Sequence, residues 1–355
     1  MYKFLHISEI PNVSSEPDCD IILEAAIWGN NFVNHYLDNI QRNHQLCLSK
    51  IEHRYEYVIL TRREDYERNK ERFIIPNITF IFFDDSLPKV LASIHMEYAY
   101  YRKKPWISMA ADCLHTVNII PNILTKYAHN DICCVMSQRV YHQILDAIKV
   151  KEAQVPYENI FVPREFLKLV FPHLYVTDKR YFMDDYRAMG CYNGFFWTVR
   201  RDGILIGELM RTFHWGVMYI KNPVLGMESC ANPTWGLDPS PFLINLAKAD
   251  TVGVVADSDD GFCVDVMMDY NINAPDPQPK LMESDYHDIV RYWQSCLNGH
   301  GICEVNEAEM GINVAIHSEP LDQSWVELAN TANDFITKTY GGVIKNKELT
   351  WRMLE

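Results

Sequence analysis

The sequence predicts an α/β protein built on a mostly parallel central sheet with helices on both faces, followed by a C-terminal helical appendage. Three observations carry this expectation. Short apolar runs alternate with helix-compatible stretches, several of the runs are apolar on both faces, and each ends in a turn of polar residues or glycine.

The first run, Ile21 to Ile27, closes at Trp28-Gly29-Asn30-Asn31 and leads into helix-compatible sequence from Phe32 to Leu48. The second, Tyr55 to Leu60, stops at Thr61-Arg62-Arg63-Glu64-Asp65, where Thr61 is placed to cap a charged helix reaching Phe73. The third, Ile78 to Phe83, ends in Asp84-Asp85-Ser86. A long helical region follows, including His95 to Tyr101 and Ile107 to Tyr127, before a fourth strand from Ile132 to Met136. Sheets of this kind bind ligands beyond the carboxyl ends of their strands. Those ends are Trp28-Gly29, Thr61-Arg62, Asp84-Asp85 and Ser137-Gln138.

After Pro163 a helix from Arg164 to Leu174 gives way to an aromatic- and glycine-rich stretch, Tyr181 to Trp235, that reads as short strands and loops. A further strand, Thr251 to Ala256, delivers Asp257-Ser258-Asp259-Asp260-Gly261. The proline-rich segment Ala274 to Pro279 then breaks regular structure, and helices are expected near Ser284 to Leu297 and Ser324 to Tyr340.

Composition bounds the function classes. A chain of 355 residues with 48% hydrophobic and 23% charged residues has enough apolar surface for a sizeable core. The formal net charge of -14, with no Lys/Arg-rich block, disfavours general nucleic-acid binding. Ten cysteines scatter without a CxxC and read as reduced, buried thiols. The start of the chain lacks a secretory signal pattern and no apolar run is long enough to span a membrane, so a cytoplasmic, soluble protein is expected.

Several residues can carry chemistry. Asp257 and Asp259, one residue apart in a glycine-containing turn, can hold a hard divalent cation that neutralises a diphosphate; the plain alternative is a solvated Asx turn. Asp84 and Asp85 form a second carboxylate pair whose simplest role is capping. Trp28, Gly29 and Asn30 place a flat ring, a permissive backbone and an amide where a helix start can meet a base or phosphate. His115 follows Asp112 at a three-residue offset on an expected helix, so the two share a face, and His214 lies between two aromatics. Buried, satisfied histidines are the commoner outcome. No zinc spacing, nucleophile elbow, dinucleotide fingerprint or P-loop is present.

Taken in order, several segments resemble a group of bacterial glycosyltransferase-like proteins with a GT-A type, nucleotide-diphosphosugar transferase core. They are the opening strand with Trp28-Gly29, Tyr57 to Thr61 with Glu64-Asp65, Met109 to His115, Val162 to Leu167, Asp202 to Leu205 leading to Arg211 to Trp215, and Val254 to Asp260. Two departures stand out. Where the group carries an acidic turn after its fourth strand this chain has Ser137-Gln138-Arg139, and the His-aromatic-His-Pro pattern has become His214-Trp215-Gly216-Val217.

The resemblance implies a GT-A-like domain over 1–275, with a nucleotide-binding half (1–150) and an acceptor-side half (151–275), and a helical region over 276–355. It implies transfer of a sugar from a nucleotide diphosphosugar to a carbohydrate or protein acceptor. The donor is expected at Trp28, Gly29, Asn30, Thr61, Asp84, Asp85 and Arg139, with Asp112, His115 or His214 as base or acceptor-positioning group. The diphosphate is to be neutralised either by manganese or magnesium at Asp257 and Asp259 or by Arg139. The rival expectation is a catalytically inactive carbohydrate- or protein-binding module on the same scaffold.

Overall fold

A computed structural model describes residues 2–13, 18–84, 91–174, 196–200, 203–209, 215–225, 245, 249–267, 311–327 and 330. The chain divides into two compact units. The first comprises Met1–Ser137, Trp215–Val254 and Cys263–Asp265, and the second Gln138–His214, Val255–Phe262 and Val266–Glu355.

The strands, in chain order, are β1 (Lys3–His6), β2 (Ile21–Ala26), β3 (Tyr55–Arg62), β4 (Ile78–Phe83), β5 (Trp106–Met109), β6 (Cys113–His115) and β7 (Ile132–Tyr141). They continue with β8 (Phe196–Arg200), β9 (Gly203–Leu209), β10 (Trp215–Ile220), β11 (Val252–Val254), β12 (Cys263–Met267) and β13 (Gly311–His317).

The first unit is organised by a large mixed sheet in the order β1-β4-β3-β2-β5-β10-β7-β12-β6, with β11 added on β7. Neighbours among β1, β4, β3, β2 and β5 are parallel. Strand β10 runs antiparallel between β5 and β7. Every residue of β2 and β4 is buried, which is what a parallel strand covered on both faces requires. The cover includes helical sequence that follows β2 as Asn30–His35, a π-helical turn Tyr36–Ile40 and Gln41–Leu48. Helices Arg63–Asn69, after β3, and Leu91–Arg102, before β5, complete the alternation.

The amino ends of β2, β3 and β4 are closed by a buried polar network. Glu56 accepts from Thr79 Oγ1 at 2.6 Å, from Tyr98 at 3.0 Å and from Arg102 at 3.4 Å. Arg102 also pairs with Asp18, so this acidic group is neutralised from within. At the opposite, carboxyl, end Trp28 and Gly29 are partly exposed and Asn30 and Asp84 are exposed.

Two expectations are corrected here. The stretch from Ile107 to Tyr127 is not one helical region: it holds β5 and β6, then a short helix Ile119–Asn122 and a π-helical turn Ile123–Tyr127. The preceding helix stops at Arg102, Lys103 turns through φ 54°, and Pro105 follows, so the chain is released to extend along β2. The strand expected to end at Met136 runs on through Ser137-Gln138-Arg139 to Tyr141. The strand that follows β4 in the parallel run is therefore β5, and the turn after it is Ala110-Ala111-Asp112.

In the second unit β13, β9 and β8 form an antiparallel sheet. Helix Pro163–Val170 starts with proline at its first turn and buries Phe166, Leu167 and Val170. The tail expected to be helical contributes strand β13, and residues 323–327 are helical. The expected helix from Ser284 to Leu297 lies outside the described residues, as do most of the loops between Tyr181 and Trp235.

Candidate functional site

In the first unit the strands succeed one another outward from β2 to β3 to β4, and the chain then returns to place β5 on the other side of β2. Such a reversal opens a crevice outside the carboxyl ends of the two central strands. Its lips are Ile27-Trp28-Gly29 after β2 and Ala110-Ala111-Asp112 after β5.

Trp28 is partly exposed, edge-on to Phe83 with ring centroids 5.9 Å apart and tilted against Phe32 at 6.4 Å. Its indole is thus braced from two sides with area left open. Gly29 turns the chain with φ 80° and ψ 139°, and a Cβ built there meets nothing within 4 Å. Its amide donates to Asp65 Oδ2 at 2.8 Å, so this N–H is already taken by the protein. Asp65 is 2% exposed and lies 3.5 Å from Arg68, which balances the buried charge. Asn30 is exposed at the helix start, and Arg63 lies 4.1 Å over the Phe82 ring near the end of β4.

The other expected residues sort differently. Thr61 is a buried β3 residue at 1% exposure, and the helix after it is capped at Arg62 with no side-chain bond. Asp84 is exposed and pairs with His6 at 3.4 Å. Asp85 and His214 lie outside the described residues, as does the side chain of Arg139, whose backbone belongs to β7.

Asp112 and His115 do not share a helix face. Asp112 sits half-buried in the turn between β5 and β6, whereas His115 ends β6 and is fully buried. The His115 backbone is clasped by Asn43, which accepts from its amide at 2.8 Å and donates to its carbonyl at 2.9 Å. Its ring centroid lies 4.9 Å from that of His44. His44 in turn bonds the Tyr57 hydroxyl at 2.9 Å and the Cys113 carbonyl at 3.3 Å. Burial, and then the neighbouring His115, hold the His44 pKa well below the ordinary imidazole value. Burial, followed by the Asp112 charge, pushes the Cys113 thiol well up, which suppresses its thiolate.

The second unit gathers a different group. After β11 the chain turns through Asp257-Ser258-Asp259-Asp260-Gly261, and Asp257 Oδ1 accepts from the Asp259 amide at 2.8 Å. The turn is stitched to β13 by Ser258 N to Ala315 O at 3.0 Å, Ala315 N to Ala256 O at 2.9 Å and His317 N to Ser258 Oγ at 3.1 Å. His317 brings Nε2 to 2.7 Å from Asp257 Oδ1, while its Nδ1 faces the Glu319 carbonyl. Arg164, from helix Pro163–Val170, grips Asp259 with two nitrogens, Nε at 3.0 Å from Oδ1 and Nη2 at 2.6 Å from Oδ2.

The electrostatics follow. Burial by itself lowers the His317 pKa, but the bonds to Asp257 and the Glu319 carbonyl outweigh it and the net shift is upward. Burial likewise raises Asp257, yet His317 and the Asp259 amide bring it below the usual carboxylate value. Sequence reasoning marked the Asp257–Asp259 turn and missed its partners. Arg164 carried no role, and His317 showed only as the polar end of an apolar run.

No family model matches this chain, and no curated protein matches it. Among solved structures, S. aureus TarS residues 1–349 gives a TM-score of 0.35 at 8% identity, over 70% of this chain and 60% of that one. A longer S. aureus TarS structure gives 0.34 at 8% identity, over 77% of this chain and 42% of that one. Mouse xyloside xylosyltransferase 1 gives 0.27 at 12% identity, over 57% of this chain and 66% of that one. All three likenesses are low in score and identity, and each spans less than two thirds of the neighbour's length.

Proposed function

We propose that this chain transfers a sugar from a nucleotide diphosphosugar to a carbohydrate or protein acceptor, with the donor seated at the crevice between the carboxyl ends of β2 and β5. The reversal of strand order at that point is the observation that carries the proposal. The half-open face of Trp28 offers an aromatic platform for the flat base. Asp112, on the opposite lip and still partly accessible, is the group suited to accept the acceptor hydroxyl's proton as its oxygen bonds to the anomeric carbon. The bond from that carbon to the diphosphate oxygen breaks in the same event, and the diphosphate departs with the electron pair.

Calorimetric titration with uridine, guanosine and thymidine diphosphosugars tests this reading, and running it with and without manganese separates metal-assisted from metal-free binding. Trp28→Ala is expected to weaken donor binding about tenfold. Asp112→Asn is expected to keep binding and lose transfer. Failure of every donor to bind overturns the proposal.

A further inference from the structure

The turn that carries Asp112 is anchored from the helical sequence after β2. It closes on itself, the Cys113 amide donating to the Ala110 carbonyl at 3.1 Å. Asp112 is its third residue, so the peptide planes of the turn set the direction in which that side chain leaves the backbone. One side chain meets the carbonyls at both ends of the turn: His44 Nε2 lies 3.3 Å from the Cys113 carbonyl oxygen, and the Ala110 carbonyl is its second backbone partner.

The placement of protons around that ring follows from its partners. His44 is 0% exposed, and burial together with the neighbouring His115 disfavours its charged form. Carbonyl oxygens only accept, so the single ring proton sits on Nε2 and Nδ1 is left as an acceptor. The Tyr57 hydroxyl donates to Nδ1 at 2.9 Å, and the Tyr36 hydroxyl donates to Tyr57 at 3.0 Å. The row therefore has one direction, from Tyr36 through Tyr57 and His44 to the turn. Reversing it would demand a second proton on a buried ring. Edge-on contacts with Tyr36 at 5.5 Å and Tyr57 at 6.3 Å between centroids hold the imidazole plane.

The residues beside His44 fasten the strand beyond the turn. Asn43 holds both backbone polar atoms of His115, at 2.8 and 2.9 Å, and Cys47 Sγ lies 3.6 Å from the Thr116 carbonyl. Helix Gln41–Leu48 thus buries Asn43 and His44 at successive positions and gives each a backbone partner on the β5–β6 segment. Polar groups are buried at such cost only where partners are built for them.

We infer that His44 is a positioning residue for sugar transfer: its Nε2 proton holds the Ala110–Cys113 turn so that Asp112 stands at the lip of the crevice. The inference rests on the reading of Asp112 as the base. Being fully buried, His44 acts through the turn and not on the sugar. Misplacing a reacting group by an ångström can cost about 10²-fold in rate, so the loss belongs in kcat and not in donor binding at the Trp28 lip.

The test uses the full chain and two amides that each replace half of the imidazole. His44→Gln places an amide N–H near the position of Nε2 and keeps a donor for the turn. His44→Asn reaches only as far as Nδ1, keeps an acceptor for Tyr57 and releases the turn. Hydrogen exchange at the amides of residues 110–113, referred to those of β2, is expected to be at least about tenfold faster in His44→Asn and near the wild-type rate in His44→Gln. Transfer should follow the same order, with kcat at least about tenfold lower in His44→Asn at unchanged donor KM, and largely kept in His44→Gln. A histidine that only filled the core would give the two variants the same profile. Equal exchange at the turn in both, or equal loss of kcat, overturns the inference. Should His44→Asn fail to fold, nitrogen NMR spectra of the wild-type histidines decide: a His44 proton on Nε2 alone supports the inference, and one on Nδ1 overturns it. Failure of every donor to bind the wild type would remove the sugar-transfer reading, while exchange and the nitrogen spectra still decide whether His44 holds the turn.

Discussion

The carboxylate of Asp65, at the start of the helix after β3, accepts a hydrogen bond from the backbone amide of Gly29, just past the end of β2, at 2.8 Å. A buried charge on one strand-end loop therefore fixes the path of its neighbour, and with it the direction in which Trp28 leaves the sheet.

Removing that acceptor leaves a backbone donor unsatisfied. Asp65→Ala is expected to cost about 1–3 kcal/mol in urea unfolding, and Asp65→Asn, which retains an oxygen, less. Donor affinity measured by calorimetry should fall in the same order, because both changes act through Trp28. An Asp65→Ala variant as stable as the unmutated chain would show that the bond is dispensable.

Gly29→Ala isolates a different term. At φ 80° an L-residue is strained, but a Cβ there meets nothing within 4 Å. The expected cost is the backbone penalty alone, about 1–3 kcal/mol, read as a lower denaturation midpoint.

Gly203→Ala should be worse, for a steric reason. On β9, opposite His317, an added Cβ would run into the Ile316 carbonyl oxygen, with His317 Cα at 2.8 Å and Trp325 Cη2 at 2.9 Å. Backbone cannot step aside as a side-chain tip can. A loss of about 3 kcal/mol is expected. Thermal unfolding of the variant checks this.

His44 makes stability depend on acid. Its pKa is depressed in the folded chain, so below the ordinary imidazole value of 6.5 the unfolded chain binds a proton that the folded chain refuses. Stability is then lost as pH falls below that value, by up to about 1.4 kcal/mol per pH unit for one proton. His44→Gln should lower stability near neutrality yet flatten the decline between about pH 6.5 and about pH 5. Urea midpoints of the two proteins across that range provide the comparison.

Much of the scaffold was legible from residue pattern. β2, β3 and β4 fall where the apolar runs placed them, because strands covered on both faces leave an uninterrupted apolar signature. β5 and β6 escaped because each is only a few residues long and owes its extension to distant partners: Ile22 to Glu24 for β5, Cys263 to Asp265 for β6. Such pairing overrides local preference and leaves no local period. Lys103-Lys104-Pro105 was the available warning that a helix could not run through.

The site residues divide along the same line. Trp28 and Gly29 announce themselves as a strand end, and Asp257 and Asp259 as a turn. The buried role of Asp65, the grip of Arg164 on Asp259 and the approach of His317 to Asp257 depend on contacts between segments far apart in sequence. Misplacing Asp112 and His115 on a helix had a similar origin, since a three-residue offset suits either a helical face or a turn leading into a strand.

The late arrival of β10 between β5 and β7 has a consequence for biosynthesis. While the nascent chain is still shorter than residue 215, one edge of β5 and one edge of β7 lack the strand that will later join them. A ribosome paused there would hold two unpaired strand rims, each able to recruit a foreign strand or a chaperone. Stop codons placed just before Trp215 should therefore yield aggregates, not a smaller stable product.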